Sequence, residues 1–275
     1  MTRIGVCSKS ILLLFFFVLL TGFNSVNAQC ASENKAFQSG EKVEYDLFFN
    51  WAFIWTKAGT ATLTIEDTMH HGTPAYKFDL IATGNKKADN FFKLRDTLTS
   101  IVTKKLEPVY FRKGAVEGKR YWIDEAFFSF KNGMSYVNQK RTRDGQVQNF
   151  EHSDSRCIHD MLSILGQARS FDFNSFKVGH EIKVPMATGK RLEVQTLIYK
   201  GKESFKAENG ITYNCLVITL TTPKKDKEKE VVTFYITDDK NHLPVRIDLA
   251  FNFGSARASL KSLEANRHPL TAIEK

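Results

Sequence analysis

The chain has 275 residues, 42% of them hydrophobic and 25% charged, with 39 Lys and Arg against 30 Asp and Glu for a formal net charge of +9. The apolar content excludes a disordered chain, four cysteines are too few for a disulfide-built scaffold, and 16 Gly with 6 Pro exclude a collagen-like fibre. The rings, 23 Phe and 8 Tyr against 3 Trp, point to a β-rich core.

At the N-terminus Arg3 and Lys9 flank the start of an apolar run from Ile11 to Leu20, and Val26-Asn27-Ala28 places small residues at cleavage spacing. A run of that length is about half of what a bilayer span needs. Residues 1–28 are therefore read as a signal peptide and 29–36 as a short N-terminal segment, with no transmembrane span further on. Cleavage after Ala28 would leave 247 of the 275 residues, and losing Arg3 and Lys9 would lower the charge from +9 to +7. The alternative is a lipoprotein lipidated on Cys30, for which Asn27-Ala28-Gln29 is a poor lead-in. Export to an oxidising compartment leaves Cys30, Cys157 and Cys215. Cys157–Cys215 is the candidate disulfide, the alternative being two small buried hydrophobes.

Alternation with period two then dominates. Val43, Tyr45, Leu47 and Phe49 share one face, Ala61, Leu63 and Ile65 repeat the pattern, and Tyr76, Phe78 and Leu80 repeat it again. Turn signals follow at His71-Gly72-Thr73-Pro74, Asn132-Gly133, Asp144-Gly145, Asn209-Gly210 and Asp239-Lys240-Asn241. A short helix or turn is expected over 86–92. From Arg156 to Phe171, the residues Ile158, Met161, Leu162, Leu165 and Ala168 recur at helical spacing, with Ser153 to Ser155 available as N-caps. This helix divides two β-rich stretches, 37–151 and 172–264. No linker rich in Pro, Gly or Ser separates them, so 37–264 is read as a single domain. Its expected fold is mostly β: a strongly curved antiparallel sheet, a half-barrel or open barrel, packed on one central helix around 156–171. The tail 265–275 loses alternation and is expected to fray. Alternation leaves open whether the ring-lined interior is filled or encloses a ligand cavity.

Lys and Arg are interleaved with Asp and Glu, as in Lys224-Lys225-Asp226-Lys227-Glu228-Lys229-Glu230, which reads as a solvated hairpin tip. No nucleic-acid partner is expected, and nothing in the sequence singles out an anionic membrane surface.

G-x-S-x-G, H-E-x-x-H and C-x-x-C are absent and the glycines never cluster as a phosphate cradle, so no catalytic residue, cofactor or metal is assigned. Four weak constellations remain. His152 with Cys157-Ile158-His159-Asp160 carries zinc-ligand types, but adjacent residues on a helix point about 100° apart. Asp160 reads better as the anchor of a loop or basic side chain. His70-His71 sits in a turn, where the side chains diverge. Arg95-Asp96, with Arg112 and Glu117 downstream, places opposite charges among Phe91, Phe92, Leu94 and Leu98. It reads as a structural ion pair, with a polar anchor for a ligand headgroup as the alternative. Asp238-Asp239, followed by Pro244-Val245-Arg246, reads as a turn into a strand and lacks calcium-loop spacing. Candidate structural or headgroup-anchoring residues are thus Arg95, Asp96, Arg112, Glu117, Asp160, Asp239 and Arg246.

The same segments carry a resemblance. Gly40-Glu41-Lys42-Val43-Glu44-Tyr45-Asp46, Ala58-Gly59-Thr60-Ala61-Thr62-Leu63, Arg95-Asp96 and Leu106-Glu107-Pro108 are followed by His159-Asp160-Met161-Leu162-Ser163. Asp238-Asp239, Leu243-Pro244-Val245-Arg246-Ile247 and Gly254-Ser255-Ala256-Arg257-Ala258-Ser259-Leu260 complete the order. Together they resemble the exported bacterial family known as domain of unknown function 3108, across about 37–262. His159 departs from that pattern, where members often carry an aromatic residue. The resemblance implies an exported β-rich protein and assigns no catalytic residue; a likeness to curved half-barrels that handle lipoproteins is one of fold alone.

The expected function is that of a non-enzymatic protein in the periplasm or at the surface of a Gram-negative bacterium, binding an apolar or amphipathic ligand such as a lipid or lipoprotein chain. The alternatives are a structural module for an envelope protein partner, and a hydrolase using Asp96, Asp160 or the Asp238-Asp239 pair.

Overall fold

A computed structural model describes residues 30–274 except 52–53, 91–92, 118–119, 225–226 and 252–253. The expected signal peptide lies outside the described residues, as do Phe91, Phe92 and the side chain of Glu117. The alternating segments form β1 (Glu41–Trp51), β2 (Ile54–His70), β3 (Thr73–Gly84), β4 (Leu94–Thr103), β5 (Pro108–Glu117), β6 (Arg120–Lys131), β7 (Met134–Arg143) and β8 (Gln146–Asp154). After one helix, α1 (Met161–Ala168), come β9 (Glu181–Ala187), β10 (Leu192–Lys206), β11 (Thr212–Lys224), β12 (Lys227–Thr237), β13 (Pro244–Phe251) and β14 (Gly254–Glu264). Among the described residues no helix is long and apolar enough to cross a membrane.

All strands belong to one 14-stranded antiparallel sheet in the order β8-β7-β6-β5-β4-β3-β2-β1-β14-β13-β12-β11-β10-β9. The first and last strands pair at its centre, leaving β8 and β9 as edges. The sheet curls until these edges approach. His159 bridges Met186, donating from its amide to the Pro185 carbonyl and accepting from the Ala187 amide. The result is a nearly closed barrel, as the curved-sheet reading expects. Hairpin connections alternate between two ends. The turn joining β1 to β2, the β3–β4 connection and the connections joining β5 to β6, β7 to β8, β9 to β10, β11 to β12 and β13 to β14 share one end, here the mouth. The crossover from β8 to β9 enters the interior at the other end, the floor.

That crossover corrects the expected helix. Residues 156–160 are not helical, because Cys157 is held in a disulfide and His159 in the bridge to β9. The cap is Asp160, not Ser153 to Ser155: its carboxylate accepts from the Leu162 and Ser163 amides while Ser163 Oγ accepts from the Asp160 amide. Leu162 packs into one apolar cluster with Phe37, Val43 and Phe78, and Ile164 into a second with Leu197, Leu216 and Ile236. Gly166 lies flat on the Phe78 ring, where an added Cβ would come within 2.8 Å of the ring. The helix stops at Arg169. The expected turn over 86–92 is a single 3-10 turn, Ala88–Asn90.

The disulfide joins Cys30 to Cys157, 127 residues apart, and not Cys157 to Cys215. Cys215 is a free, buried thiol in β11, and burial pushes its pKa up to about 12. The tail does not fray, which also corrects the reading. It runs past the end of β12 and supplies partners that β11 would lack: the Asn214 amide donates to the Ala272 carbonyl, and the Glu274 amide to that of Thr212.

One buried ion pair ties these parts together. Arg169, the C-cap of α1, donates from both terminal nitrogens to Glu41 at 2.5 and 3.1 Å and from Nε to the Asn241 carbonyl at 3.0 Å. The side chains of Arg169 and Glu41 are 2% and 0% exposed. Asn241 passes the network on to His268 of the tail.

Glu41→Ala strands a buried guanidinium and is expected to cost about 3 to 5 kcal/mol in denaturant unfolding. The double variant Glu41→Leu/Arg169→Met should regain most of that loss. Peptide mapping without reduction should recover a Cys30–Cys157 cross-link, with Cys215 reacting with thiol reagents only after unfolding.

Candidate functional site

The register of the sheet writes the interior out row by row, since directly paired residues share a face. On the β1–β7 side the row nearest the floor runs Ile65, Phe78, Ser100, Phe111, Ala126, Gln139. The next runs Val43, Leu63, Leu80, Leu98, Lys113, Asp124, Arg141, and the row towards the mouth runs Tyr45, Ala61, Ala82, Asp96, Ala115, Trp122, Arg143. In the middle of the barrel charge enters the interior face on β4 to β7, beside Glu41 at the floor end of β1 and Glu193 near the mouth end of β10. Two rows of the facing wall are apolar: Leu47, Ala258, Ile247, Phe234, Ile218 and Tyr199 form one, and Phe49, Ala256, Leu249, Val232, Leu220 and Leu197 the next.

Burial falls from floor to mouth. Ile65, Phe78, Ser100, Ala126 and Gln139 are buried, whereas Leu47, Ala82, Asp96, Lys113, Trp122, Ile247 and Leu249 are only half-buried. The floor itself is filled. A hollow between the end of α1 and β9–β11, lined by Ala168, Phe171, Phe173, Leu197 and Tyr199, has a free volume of about 10 Å³, room for about one water.

The polar wall is organised by two ion pairs. Lys113 lies 3.6 Å from Asp96, and Arg141 donates from Nε and a terminal nitrogen to both carboxylate oxygens of Asp124 at 2.5 Å. Burial raises the Asp96 pKa against the opposing pull of Lys113. The β9–β10 turn closes over the second pair: the Gly189 amide donates to Gln139, whose side-chain amide donates to the Arg191 carbonyl. Only glycine fits there, with φ +86° and an added Cβ 2.5 Å from Asp124.

The sequence candidates are dispersed. Arg95 and Asp96, adjacent on β4, point to opposite faces and take different partners. Arg95 forms a two-point pair with Asp89 on the outside, and Asp96 pairs inside with Lys113. Arg112 faces outward, 3.4 Å from the Tyr121 hydroxyl. Asp239 is a turn anchor that accepts from Thr237, Asn241 and the tail amides of Thr271 and Ala272. Asp238 binds Lys202 at 2.6 Å. Arg246 lies on the face opposite Val245, bound to Asp248 and held between the Phe205 and Tyr235 rings. His70 and His71 pack edge to face at a floor turn, and Cys157 is spent in its disulfide.

Asp160 needs separate treatment, because Ser163, His159 and Asp160 meet as a serine, a histidine and a carboxylate. The serine hydroxyl donates to the Asp160 carbonyl, and His159 Nδ1 is 3.4 Å away from it. All three are buried, at 1%, 3% and 0% exposure. Burial pushes the Asp160 pKa up, while amides of Leu162 and Ser163 and the Ser100 and Ser163 hydroxyls hold it down. The cluster is a sealed capping box. Asp96 sits four residues along β4 from Ser100, about 13 Å away, so the candidate carboxylates do not share a cleft.

Sequence reading passed over Glu41, Asp124, Gln139, Arg141 and Arg169. Four of these were visible as polar residues in phase with core positions: Glu41 with Val43, Asp124 with Ala126 and Phe128, Gln139 and Arg141 with Val137.

A family model described as a protein of unknown function, DUF3108, matches residues 44–261. A crystal structure of a β-barrel-like protein of domain of unknown function DUF1849 from Brucella abortus is similar, with TM-score 0.55 and 10% identity over 84% of this chain and 99% of that one. At that identity the likeness is one of fold. No curated protein matches the chain.

Burial holds the His159 pKa down to about 4, from 6.5. The unfolded chain therefore takes up a proton that the folded one refuses, and stability present above pH 6.5 should be lost as pH falls towards 4. His159→Gln, which keeps Asp160 in place, should remove a slope of about 1.4 kcal/mol per pH unit in that window from denaturant unfolding curves.

Proposed function

We propose that this chain, which belongs to the family of unknown function DUF3108, is an exported, non-catalytic binding protein of the bacterial envelope that holds an amphipathic ligand in the mouth half of its barrel. One observation carries the reading. Beyond a filled floor, the interior has half-buried apolar side chains on β1 and β12–β14, facing a wall on β4–β7 where the Asp96–Lys113 pair keeps access to water and Arg141 is partly exposed. An acyl chain against the first and a polar headgroup against Lys113 and Arg141 would match both surfaces, the arrangement ligand sites favour. A lipid or the lipid chain of a lipoprotein has that chemistry.

The Cys30–Cys157 disulfide supports export to the periplasm or surface of a Gram-negative cell, because such bridges persist in oxidising compartments. It also favours cleavage at Ala28 over lipidation of Cys30, whose sulfur cannot carry both bonds. A non-catalytic role fits the commitment of each candidate carboxylate to its own partners in a separate part of the fold.

The test is titration with the fluorescent probe 1-N-phenylnaphthylamine in the absence of vesicles. Saturable enhancement is expected, weakened about tenfold or more by Leu249→Asp on the apolar wall, a loss of about 1.4 kcal/mol. Ile81→Asp on the exposed outer face should bind as the parent does. Absence of saturable binding to the folded parent protein would refute the proposal.

A further inference from the structure

The structure points to a second surface. We infer that the mouth end docks on an anionic phospholipid bilayer, with an aromatic rim entering the interface and a ring of cations meeting the headgroups.

The inference rests on how the fold sorts residues that the sequence interleaves. At the mouth, Ile54, Trp55, Tyr121 and Phe251 are 69%, 37%, 50% and 44% exposed. Trp55 reaches the β13 rim through the register Trp55–Asn50–Ser255–Ala250, three strand spacings or about 14 Å. Trp55 thus lies on the outer side of this rim under the Arg257 guanidinium, while Phe251, one residue on from Ala250, takes the inner side, so the rim is apolar on both sides. Trp55 near the start of β2 and Trp122 near the start of β6 both lie at this end, Trp55 on the outer face and Trp122 on the inner one. Trp and Tyr rings at one level of a protein match the headgroup boundary of a bilayer.

The charges agree. Lys86, Lys87 and Lys93 on the β3–β4 connection are exposed, as are Arg120, Arg143 and the Lys190-Arg191 pair on the neighbouring turns. Among the described residues at the turns and strand tips of this end the acids are Asp144, Glu193, Glu228 and Asp89, of which Asp89 is tied to Arg95 and Asp144 lies 3.8 Å from Arg143. The floor shows no such bias: exposed Lys35, Lys105, Lys131, Lys177, Lys206, Lys240 and Arg267 are offset by exposed Glu33, Asp67, Asp172, Glu181, Glu208, Glu264 and Glu274. A positive ring around an aromatic rim is complementary to an anionic bilayer, where near-surface cations add their attractions.

Vesicle co-sedimentation of the purified exported protein tests this independently of probe binding. Vesicles of phosphatidylcholine with about one-third phosphatidylglycerol should bind at least about tenfold more tightly than pure phosphatidylcholine, and added salt should weaken that binding. The tryptophan emission should shift to the blue on binding. The triple variant Lys86→Glu/Lys87→Glu/Lys93→Glu, and separately Ile54→Asp, should each lose about tenfold at unchanged melting temperature, while Lys105→Glu/Lys131→Glu at the floor binds as the parent does. Equal binding to both vesicle types, or equal losses from mouth and floor variants, overturns the inference. A protein that binds the probe and ignores vesicles leaves the interior site standing and removes this one.

Discussion

The Glu41–Arg169 pair is the constraint on which the arrangement of the barrel depends. A carboxylate and a guanidinium lose several kcal/mol of hydration each when sealed from water, and the loss is offset only if both are held in full hydrogen-bond geometry. Here the guanidinium spends its donors on both oxygens of Glu41 and on the Asn241 carbonyl, and lies over the Phe37 ring. Three segments distant in sequence must therefore meet at one point: the start of β1, the end of α1 and the turn before β13. Because β1 sits at the centre of the sheet, the helix hangs from the middle of the floor. A crossover between two edge strands could otherwise run outside. The pair and the Cys30–Cys157 disulfide together hold it within.

Length then decides how much of the interior the helix can occupy. Eight residues of α-helix span about 12 Å, whereas a strand of 10 residues spans about 33 Å. One short helix with its flanking turns packs into the floor half, and several side chains towards the mouth stay only half-buried. This is why the core-facing residues of a single strand change from buried to half-buried along its length, as Val43 and Tyr45 do relative to Leu47. It is also why charges are tolerated on the interior face of β4 to β7. Lys113 and Asp96 keep access to water, while the deeper Asp124 needs the two-point grip of Arg141 and the Gly189 turn above it.

Much of this was legible in the sequence, and the failures have a common cause. Period-two alternation located the strands because it is a local signal of one-sided burial, and the helix at Met161–Ala168 lay within the stretch of helical spacing. Its start was misjudged at 156 because His159 and Cys157 are fixed by β9 and by Cys30, neither of which is near in sequence. The wrong disulfide partner has the same origin: Cys30 looked peripheral, and only the folded N-terminal segment carries it to Cys157. The tail seemed free because its partners, Thr212, Asn214 and Asn241, are in other hairpins. Among the site residues, Arg95 and Asp96 read as structural ion-pair members and are so, but each with a partner on its own face, Asp89 and Lys113, which adjacency does not reveal. Strand alternation, applied to Asp124, Gln139 and Arg141, marks them as polar groups in core phase; no window that scores motifs registers them.

Charge shows the same separation between local and folded order. Along the chain, cations and acids alternate so closely that no window stands out. An antiparallel meander, however, sends successive turns to opposite ends, so residues about a dozen positions apart in sequence part company in space. The turns bearing Lys86, Arg120, Arg143 and Lys190 come together at one end, and the more balanced connections collect at the other. The exposed apolar side chains of Ile54, Trp55 and Phe251 follow the cations for the same topological reason. The end that gathers them is the end away from α1, so the half-buried apolar side chains and the exposed rings adjoin. An apolar edge is therefore exposed at that end. Its position beside a positive rim is what the connectivity of the sheet, rather than any one segment of sequence, creates.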